Sequence, residues 1–290
     1  MQYTMKLHLS LLLFLCARMT LAQLPGLENL SIRNIGPANM SGRITAIDAV
    51  HANPKIIFAA AASGGVWKSE NGGSAWTPVF DAQPTQNIGS VRIQQSNPNV
   101  VWVGTGEGNP RNSMNLGRGI FRSRDGGKTW QCLGLEATKT IHRILIDPSD
   151  SNTVYAGAMG DPFTPGPHRG LYKTSDGGKT WTRILFSNAS SGVADLVMDP
   201  QHPKKLFAAL YEHRRTPYSF TSGGPGSGLF VTYNGGESWK KLGPEQGLPT
   251  GDLGRIGIAI APSDTNRVYA KVEAAKNALF PFSKRRFSDI

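Results

Sequence analysis

The chain has 290 residues, 39% of them hydrophobic and 9% aromatic, which is enough to bury the core of one large domain or two small ones. It carries a formal net charge of +11, contains 34 glycines and 19 prolines, and shows no long amphipathic helical stretch. This composition indicates a turn-rich fold and leaves no basis for a long helical assembly.

The N-terminus predicts a secretory signal peptide over residues 1–22. A short basic start, "MQYTMK", precedes the apolar run "LHLSLLLFLCA", and "TLA" before Gln23 fits cleavage between Ala22 and Gln23. A lipid-anchored Cys16 is the alternative, although its neighbours fit that motif poorly. We therefore expect a secreted, periplasmic or cell-envelope protein. No later segment is apolar enough to predict a transmembrane helix.

The mature chain would remain basic and would keep one cysteine, Cys132. A single cysteine allows neither a disulfide framework nor a cysteine-based metal site. Nucleic acid is not an expected partner, because the chain is exported and has no compact Arg/Lys run before its last few residues. A basic exported protein can bind acidic polysaccharide or an anionic surface, and the alternative is a surface that is merely soluble.

One eight-residue pattern occurs four times: Ser/Thr, any residue, Asp/Asn, Gly, Gly, any residue, a small residue and Trp. We call the copies boxes 1 to 4; they span residues 69–76, 123–130, 174–181 and 232–239. Each follows a short alternating segment, such as "GVWKS" or "GLYKT", and precedes another strand-like piece. Two strands joined by a glycine-rich turn predict a β-hairpin, and four copies predict an internal repeat.

The residue types in the boxes indicate a structural turn. An Asp or Asn side chain can bond nearby backbone N–H groups, the glycines can adopt positive φ, and the Trp can cover the hairpin. The structural residues predicted in this way are Asn71, Trp76, Asp125, Trp130, Asp176, Trp181, Asn234 and Trp239. A calcium loop is the alternative, but one carboxylate per loop, replaced by Asn in two copies, is too few. We expect no metal and no cofactor.

Proline-containing turns repeat in step with the boxes. They lie at residues 51–54, 96–98, 146–150, 198–203 and 260–264, and an apolar strand follows each one. One unit therefore reads strand A, proline turn, strand B, loop, strand C, box, strand D. Four antiparallel strands in a unit of this size are one propeller blade. The sequence predicts an all-β propeller over residues 23–280, an incomplete ring of about 4.5 blades.

The fifth unit has its proline turn but no box. Residues 281–290, "PFSKRRFSDI", are a basic tail outside the repeat. One hypothesis is a truncated or frame-shifted version of a longer protein, and the alternative is a short domain that ends in a basic tail. Missing blades or a partner would be needed to close the ring.

The boxes resemble Asp-boxes, also called BNR repeats, which occur in sialidases, xyloglucan-hydrolase-type glycosidases and sortilin-type receptor domains. "RNIGPANMSGRITAI" (33–47) with "AASGGVWKSENGGSAW" (61–76) resembles exported bacterial proteins of the sortilin-like, glycosyl-hydrolase-like BNR group. This resemblance implies the propeller fold. It implies little about function, because Asp-boxes are scaffold.

Two departures argue against transferring an activity from the enzymes that carry Asp-boxes. Sialidases begin with Arg-Ile-Pro, whereas Arg43-Ile44 is followed here by Thr45, and no Tyr/Glu nucleophile pair stands out. Xyloglucan hydrolases carry a catalytic Asp two residues before a Gly-Gly in the first blade. Ala62 stands at that place in this chain.

The long B–C loops are the expected binding region. They span residues 107–119, 160–170 and 212–228, and antiparallel strands place them with the D–A loops on one face, opposite the boxes. Long irregular loops on a rigid scaffold usually carry binding sites, and the alternative is that they only decorate the surface.

This long-loop face also collects the candidate site residues. The candidate catalytic acids are Glu107, Glu212 and Asp161, because glycosidases need two carboxylates about 5–10 Å apart. The candidate ligand-binding residues are Arg43, Arg92, Arg143 and Arg255, expected at the starts of the innermost strands around one mouth, with Arg111, Arg118 and His168 nearby. Such arginines can hold a carboxylate, a sulfate or an acidic sugar. The alternative is that they bond carbonyls and acids between blades.

The function most consistent with these features is an exported binding or interaction module for a glycan or an extracellular protein or peptide. The first alternative is a glycoside hydrolase of the xyloglucanase-like or sialidase-like kind. The second is a sortilin-like propeller that binds peptides, for which an apolar lining would be expected.

Overall fold

Four antiparallel sheets follow one another along the described part of the chain, three of four strands and one of five, and a two-stranded sheet comes last. The computed structural model describes residues 43–111 and 113–274, all within one compact unit. The predicted signal peptide and the basic tail 281–290 lie outside the described residues, as does the point at which the fifth unit was expected to break off. The sequence-based prediction of an all-β propeller with an incomplete ring is confirmed.

The strands have the following bounds. Blade 1 contains β1 (Ile44–Val50), β2 (Asn53–Ala61), β3 (Gly65–Ser69) and β4 (Thr77–Pro78). Blade 2 contains β5 (Ile88–Ile93), β6 (Val101–Thr105), β7 (Ile120–Ser123) and β8 (Gln131–Cys132). Blade 3 contains β9 (Ile141–Ile146), β10 (Val154–Ala158), β11 (Gly170–Thr174) and β12 (Thr182–Leu185).

Blade 4 contains β13 (Ser191–Met198), β14 (Leu206–Arg215), β16 (Gly228–Thr232) and β17 (Lys240–Lys241), and an additional strand, β15 (Phe220–Ser222), pairs with β14. The described part of blade 5 is the pair β18 (Leu253–Ala261) and β19 (Asp264–Ala274). Short 3-10 helices span Glu136–Thr138 and Pro244–Gln246 in the loops that leave blades 2 and 4.

The hydrophobic core lies between blades rather than within one of them. Phe58 and Val66 of blade 1 pack in one cluster with Val91 and Val103 of blade 2. The same arrangement recurs between blades 2 and 3, 3 and 4, and 4 and 5. Because both faces of a central blade are covered by its neighbours, its strands read as continuous apolar runs. The apolar surface that each blade buries therefore depends on the next blade.

Backbone hydrogen bonds place the boxes and the proline turns on one face. The first box glycine donates its N–H to the carbonyl of a residue just after the proline turn of the same blade, as Gly126 does to Asn99 at 2.9 Å and Gly177 to Asn152 at 3.0 Å. On the opposite face, the residue after strand B bonds the residue just before strand A, as Met159 does to Thr140 at 3.0 Å. The boxes and the proline turns therefore lie on one face, and the B–C and D–A loops lie on the other, as expected from the alternating strand directions.

Box 2 shows how the repeated residues hold the turn. Ser123 Oγ accepts the Gly127 N–H at 2.8 Å and donates to Asp125 Oδ1 at 2.8 Å. The Asp125 carboxylate accepts two further backbone N–H groups and, at 2.6 Å, the hydroxyl of Thr129. Gly126 and Gly127 have φ of 71° and 92°, which only glycine adopts without strain.

The box tryptophans connect neighbouring blades. Trp130 Nε1 donates to the carbonyl oxygen of Val79 in the preceding blade at 2.6 Å, and Trp181 Nε1 donates to that of Leu133 at 2.8 Å. In boxes 2 and 3 the octet therefore holds its own hairpin and also fixes that hairpin to the blade before it, whereas Trp239 Nε1 in box 4 is buried without a hydrogen-bond partner.

The boxes predict a component of acid sensitivity. Hydrogen bonds, first from the Thr129 and Thr180 hydroxyls and then from backbone N–H groups, hold the pKa values of Asp125 and Asp176 far below the usual range. A pKa that is depressed by folding contributes stability above the unfolded-state pKa of about 4, and that stability is lost as pH falls through the folded-state pKa. We expect the free energy of unfolding to decrease below about pH 4.

The double substitution Asp125→Asn and Asp176→Asn tests this assignment. Asn71 and Asn234 already accept the corresponding backbone N–H in boxes 1 and 4, so the amide fits the turn. Urea unfolding at pH values between 5 and 2 should show a weaker pH dependence in the variant. An unchanged slope would assign the acid sensitivity to other groups.

Candidate functional site

The long loops of blades 3 and 4 form one connected surface. The Arg215 N–H donates to the carbonyl oxygen of Pro162 at 2.8 Å, joining the end of β14 to the B–C loop of blade 3. The expectation of an irregular loop over 212–228 is partly wrong. β14 continues to Arg215 and pairs with β15, with Arg215 opposite Phe220, so the first half of this segment is a regular β-hairpin.

Glu107 is paired and buried. Arg43 Nε donates to Glu107 Oε1 at 2.8 Å, and Arg43 Nη2 contacts Oε2, so both carboxylate oxygens are engaged. The Glu107 side chain is 1% exposed and that of Arg43 is 31% exposed. This forked pair joins blade 1 to blade 2 and leaves Glu107 little access to a bound substrate.

Glu212 holds the second half of the blade 4 loop. Its Oε2 accepts the Gly226 N–H at 2.8 Å and Asn188 Nδ2 at 2.9 Å, and its own N–H donates to Ser227 Oγ at 2.8 Å. A Cβ atom added at Gly224 would lie 2.6 Å from the carboxyl carbon of Glu212, so the loop packs tightly over this side chain. The carboxylate therefore shapes this loop.

Asp161 and Glu212 share a buried neighbour, Arg169. The pKa of Arg169 is lowered to about 10 by burial, and the nearby charges of Asp161 and Glu212 oppose that shift. Arg169 is 1% exposed and donates to the carbonyl oxygens of Ser190, at 2.8 Å, and Asp161. The Asp161 carboxylate accepts the Phe163 N–H at 2.8 Å. Arg169 thus fixes the loop that contains Asp161 and lies close to the charge of Glu212, a structural role that the sequence did not indicate.

Three of the four arginines, Arg43, Arg92 and Arg143, do not occupy equivalent strand positions, which corrects the expectation that they lie at equivalent strand starts. Arg143 pairs with Gly157, the fourth residue of β10. At the equivalent place in blade 2, the fourth residue of β6 pairs with Ser90 rather than with an arginine. Arg92 lies two residues further along β5, toward the proline turn. Arg43 precedes β1 altogether.

The arginine contacts described in the structure are mainly contacts between blades. Arg143 Nε donates to Asp195 Oδ1 at 2.8 Å, and Arg92 Nε donates to the Ile144 carbonyl oxygen at 3.2 Å. Arg255 Nη2 lies 3.2 Å from His142 Nε2. These contacts favour the structural alternative for the arginines, while their role as ligand-binding residues stays a prediction.

Two buried histidines lie beneath the long-loop face, and sequence reasoning gave them no defined role. Burial is the largest cause that lowers the pKa of His142 well below its ordinary value, and Arg143 and Arg255 add to it. Burial and then Arg169 lower the pKa of His213 to about 4. Both rings are therefore neutral at pH 7 and serve as packing and hydrogen-bonding groups.

The exposed members of the predicted set are Arg111, Arg118 and His168. They lie in the B–C loops of blades 2 and 3, so the structure leaves them on the long-loop face. A half-open cavity of about 180 Å³ lies on the same face, between Gly224–Ser227 and Lys241–Leu253. Leu242 and Leu248 contribute its apolar lining and Lys241 and Asp252 its charged lining. Within the described ranges we find no helix with the length and apolar character of a membrane span.

Comparison with known proteins supports the same architecture. The sequence profile of the family described as sortilin, neurotensin receptor 3 (Sortilin-Vps10) matches residues 118–249. The xyloglucanase Xgh74A of Acetivibrio thermocellus is 24% identical over 228 residues, which cover 70% of this chain and 25% of the relative. A probable oligoxyloglucan-reducing end-specific xyloglucanase of Neosartorya fischeri is 24% identical over 218 residues, 69% of this chain and 24% of the relative. The chain thus spans about a quarter of the length of these relatives.

Solved structures give the same result for the fold. An ancestral GH74 enzyme has a TM-score of 0.59 at 20% identity, over 82% of this chain and 30% of the other. A GH74 enzyme from Niastella koreensis has a TM-score of 0.57 at 21% identity, over 80% of this chain and 35% of the other. The fold and the box geometry define a β-propeller with Asp-box hairpins. The chain is similar in sequence to part of the sortilin profile and to part of these xyloglucanases.

Proposed function

We propose that the chain is an exported glycan-binding propeller whose long-loop face, built by the B–C loops of blades 2 to 4, recognises a polysaccharide chain. The proposal rests on one observation: Glu107 and Glu212 on that face are hydrogen-bonded to other groups of the protein. Both oxygens of Glu107 are paired with Arg43, and Glu212 closes a loop, so the two acids contribute to the shape of the surface.

The relatives support a glycan rather than a protein as the ligand, since the ones described above are xyloglucanases by name. The scaffold also fits this use: the loops of blades 3 and 4 are joined by the Arg215–Pro162 hydrogen bond, so an extended chain would meet one continuous, preformed surface. The basic net charge adds attraction for glycans that carry acidic groups.

A glycoside hydrolase is the second candidate, and one observation favours it. Asp161 and Glu212 are both partly exposed. Both interact with the charge of Arg169, so two carboxylates lie near the same guanidinium group. Against this candidate, Ala62, at the place of the catalytic Asp implied by the resemblance to xyloglucan hydrolases, is 1% exposed and has no acidic group.

Binding and hydrolysis can be measured on the same samples. We expect the mature chain to retard or bind soluble xyloglucan, mixed-linkage β-glucan or a uronate-containing polysaccharide while releasing no reducing ends. Affinity electrophoresis reports binding, and a reducing-sugar assay reports hydrolysis. Glu212→Gln preserves an oxygen acceptor for Gly226 and is the matched variant.

The outcomes separate the two candidates. Binding without release, in both the parent chain and the Glu212→Gln variant, supports the binding propeller. Release of reducing ends that Glu212→Gln abolishes would overturn it in favour of the hydrolase. A folded chain that binds none of the polysaccharides would also overturn it.

A further inference from the structure

The hairpin of β14 and β15 ends in a tip that presents two aromatic side chains to solvent. Tyr218 is 90% exposed and Phe220 is 41% exposed. Large aromatic side chains on a protein surface cost hydration free energy, and a group of them on one projection marks an interaction site more often than an isolated one does. The tip was not among the site residues that the sequence indicated.

The turn that carries Tyr218 is fixed by its own hydrogen bonds. The Thr216 N–H donates to the Ser219 carbonyl oxygen at 2.9 Å, and the Ser219 N–H donates to Thr216 Oγ1 at 2.9 Å. The two hydroxyl oxygens lie 2.6 Å apart. Pro217 restricts the backbone at the first central position of the turn. A ligand that contacts Tyr218 would therefore pay little entropy to order the loop.

The base of the hairpin is fixed as well. His213, Arg214 and Arg215 pair in register with the three residues of β15. Ser222 Oγ donates to Glu273 Oε1 at 2.8 Å and lies 2.7 Å from the Tyr211 hydroxyl oxygen, which attaches the hairpin to blade 5. With the Arg215–Pro162 bond to blade 3, the aromatic tip has a defined place on the long-loop face.

Arg215 fixes the second ring. Its guanidinium carbon lies 5.2 Å from the centroid of the Phe220 ring, within the range of a cation–π contact. The guanidinium packs against one face of the Phe220 ring, which remains 41% exposed. Two aromatic groups that are two residues apart in the sequence thus lie at the end of one projection.

We propose that Tyr218 and Phe220 form an aromatic platform on which sugar rings of a bound polysaccharide stack. This inference rests on the proposed function and names residues that would set its affinity. A pyranose ring has an apolar C–H face that packs against an aromatic ring, while its hydroxyl groups remain hydrated at the edge. A protein partner fits less well, because two rings on a narrow hairpin cover far less than the roughly 1,000 Å² that a specific protein interface buries.

The test compares two exposed tyrosines of the same blade on opposite faces. Tyr233, in box 4, is 48% exposed and is the matched control for Tyr218. We expect Tyr218→Ala to weaken binding of the best polysaccharide among xyloglucan, β-glucan and uronate polymers by about tenfold. Tyr218→Phe should keep the affinity within about twofold, since the stacking face remains. Tyr233→Ala should leave the affinity unchanged. Affinity electrophoresis gives all four dissociation constants.

The result separates this inference from the proposed function. If the parent chain binds and Tyr218→Ala binds equally well, the platform is wrong and the binding propeller stands. An equal loss in Tyr218→Ala and Tyr233→Ala would also overturn the platform, because the effect would not be confined to the long-loop face. If the parent chain binds no polysaccharide, both fail together. Circular dichroism and thermal unfolding confirm that each variant is folded.

Discussion

Replacing Arg122 with methionine is expected to lower the free energy of unfolding by about 3 kcal/mol. Arg122 is 9% exposed, and its Nη1 donates to the Gly177 carbonyl oxygen in box 3 at 2.5 Å. Its guanidinium carbon lies 5.3 Å from the Trp102 ring centroid. The substitution removes a charge-assisted hydrogen bond and leaves a buried carbonyl without its donor, while the methionine keeps part of the packing on Trp102.

The same position of strand C joins blade 3 to blade 4. Lys173 Nζ donates to the Gly235 carbonyl oxygen in box 4 at 2.9 Å. The equivalent residue is Lys68 in blade 1 and Val231 in blade 4. The residue is basic in blades 1 to 3 and apolar in blade 4. In blades 2 and 3 the basic residue therefore connects its blade to the box turn of the following one, whereas Lys68 of blade 1 pairs with Glu70 of its own box at 2.7 Å.

Urea unfolding measures the effect, with Arg118→Met as the control. Arg118 is exposed on the long-loop face, and its substitution should change the free energy of unfolding by less than about 0.5 kcal/mol. Lys173→Met should cost less than Arg122→Met, because Gly235 also accepts the Tyr155 hydroxyl at 3.1 Å. A loss below about 1 kcal/mol for Arg122→Met would contradict the proposed connection.

Much of this fold could be predicted from the sequence because each blade repeats local chemistry. The octet specifies a turn through neighbours two to four residues apart, as in the Ser123 and Asp125 contacts. The strand C segment of blade 1 was placed at its observed bounds, Gly65–Ser69. The additional strand β15 was not predicted, because the segment that contains it has no counterpart in the other blades.

The candidate site could not be predicted in the same way, because its contacts are non-local. Glu107 pairs with Arg43 across 64 residues, and nothing near either residue signals the other. The register of strand A is equivalent in blades 2 and 3, where Ser90 pairs with Gly104 and Arg143 pairs with Gly157. The Arg-Ile pair therefore lies two residues later in β5 than in β9, although the two strands pair in the same register.

The second glycine of each box provides the other large effect, and the repeat supplies its own control. Gly178 and Gly73 have nearly equal φ, 91° and 92°. A Cβ at Gly178 would lie 2.8 Å from Leu133 Cδ1 and 3.0 Å from Trp102 Cη2, both in the preceding blade. Among the described residues, a Cβ at Gly73 would meet only its own Trp76, at an ordinary 3.7 Å.

Gly73→Ala should therefore cost only the strain of a left-handed alanine, about 1 kcal/mol. Gly178→Ala should cost about 3 kcal/mol, because the methyl group also forces blade 3 away from blade 2. The difference between the two losses, measured by urea unfolding, isolates the contact between blades from the backbone strain that both substitutions share. Equal losses would mean that the box turn is held by its own conformation and that the close approach of the preceding blade contributes little. A larger loss at Gly178 would show that each box is built to fit the blade before it.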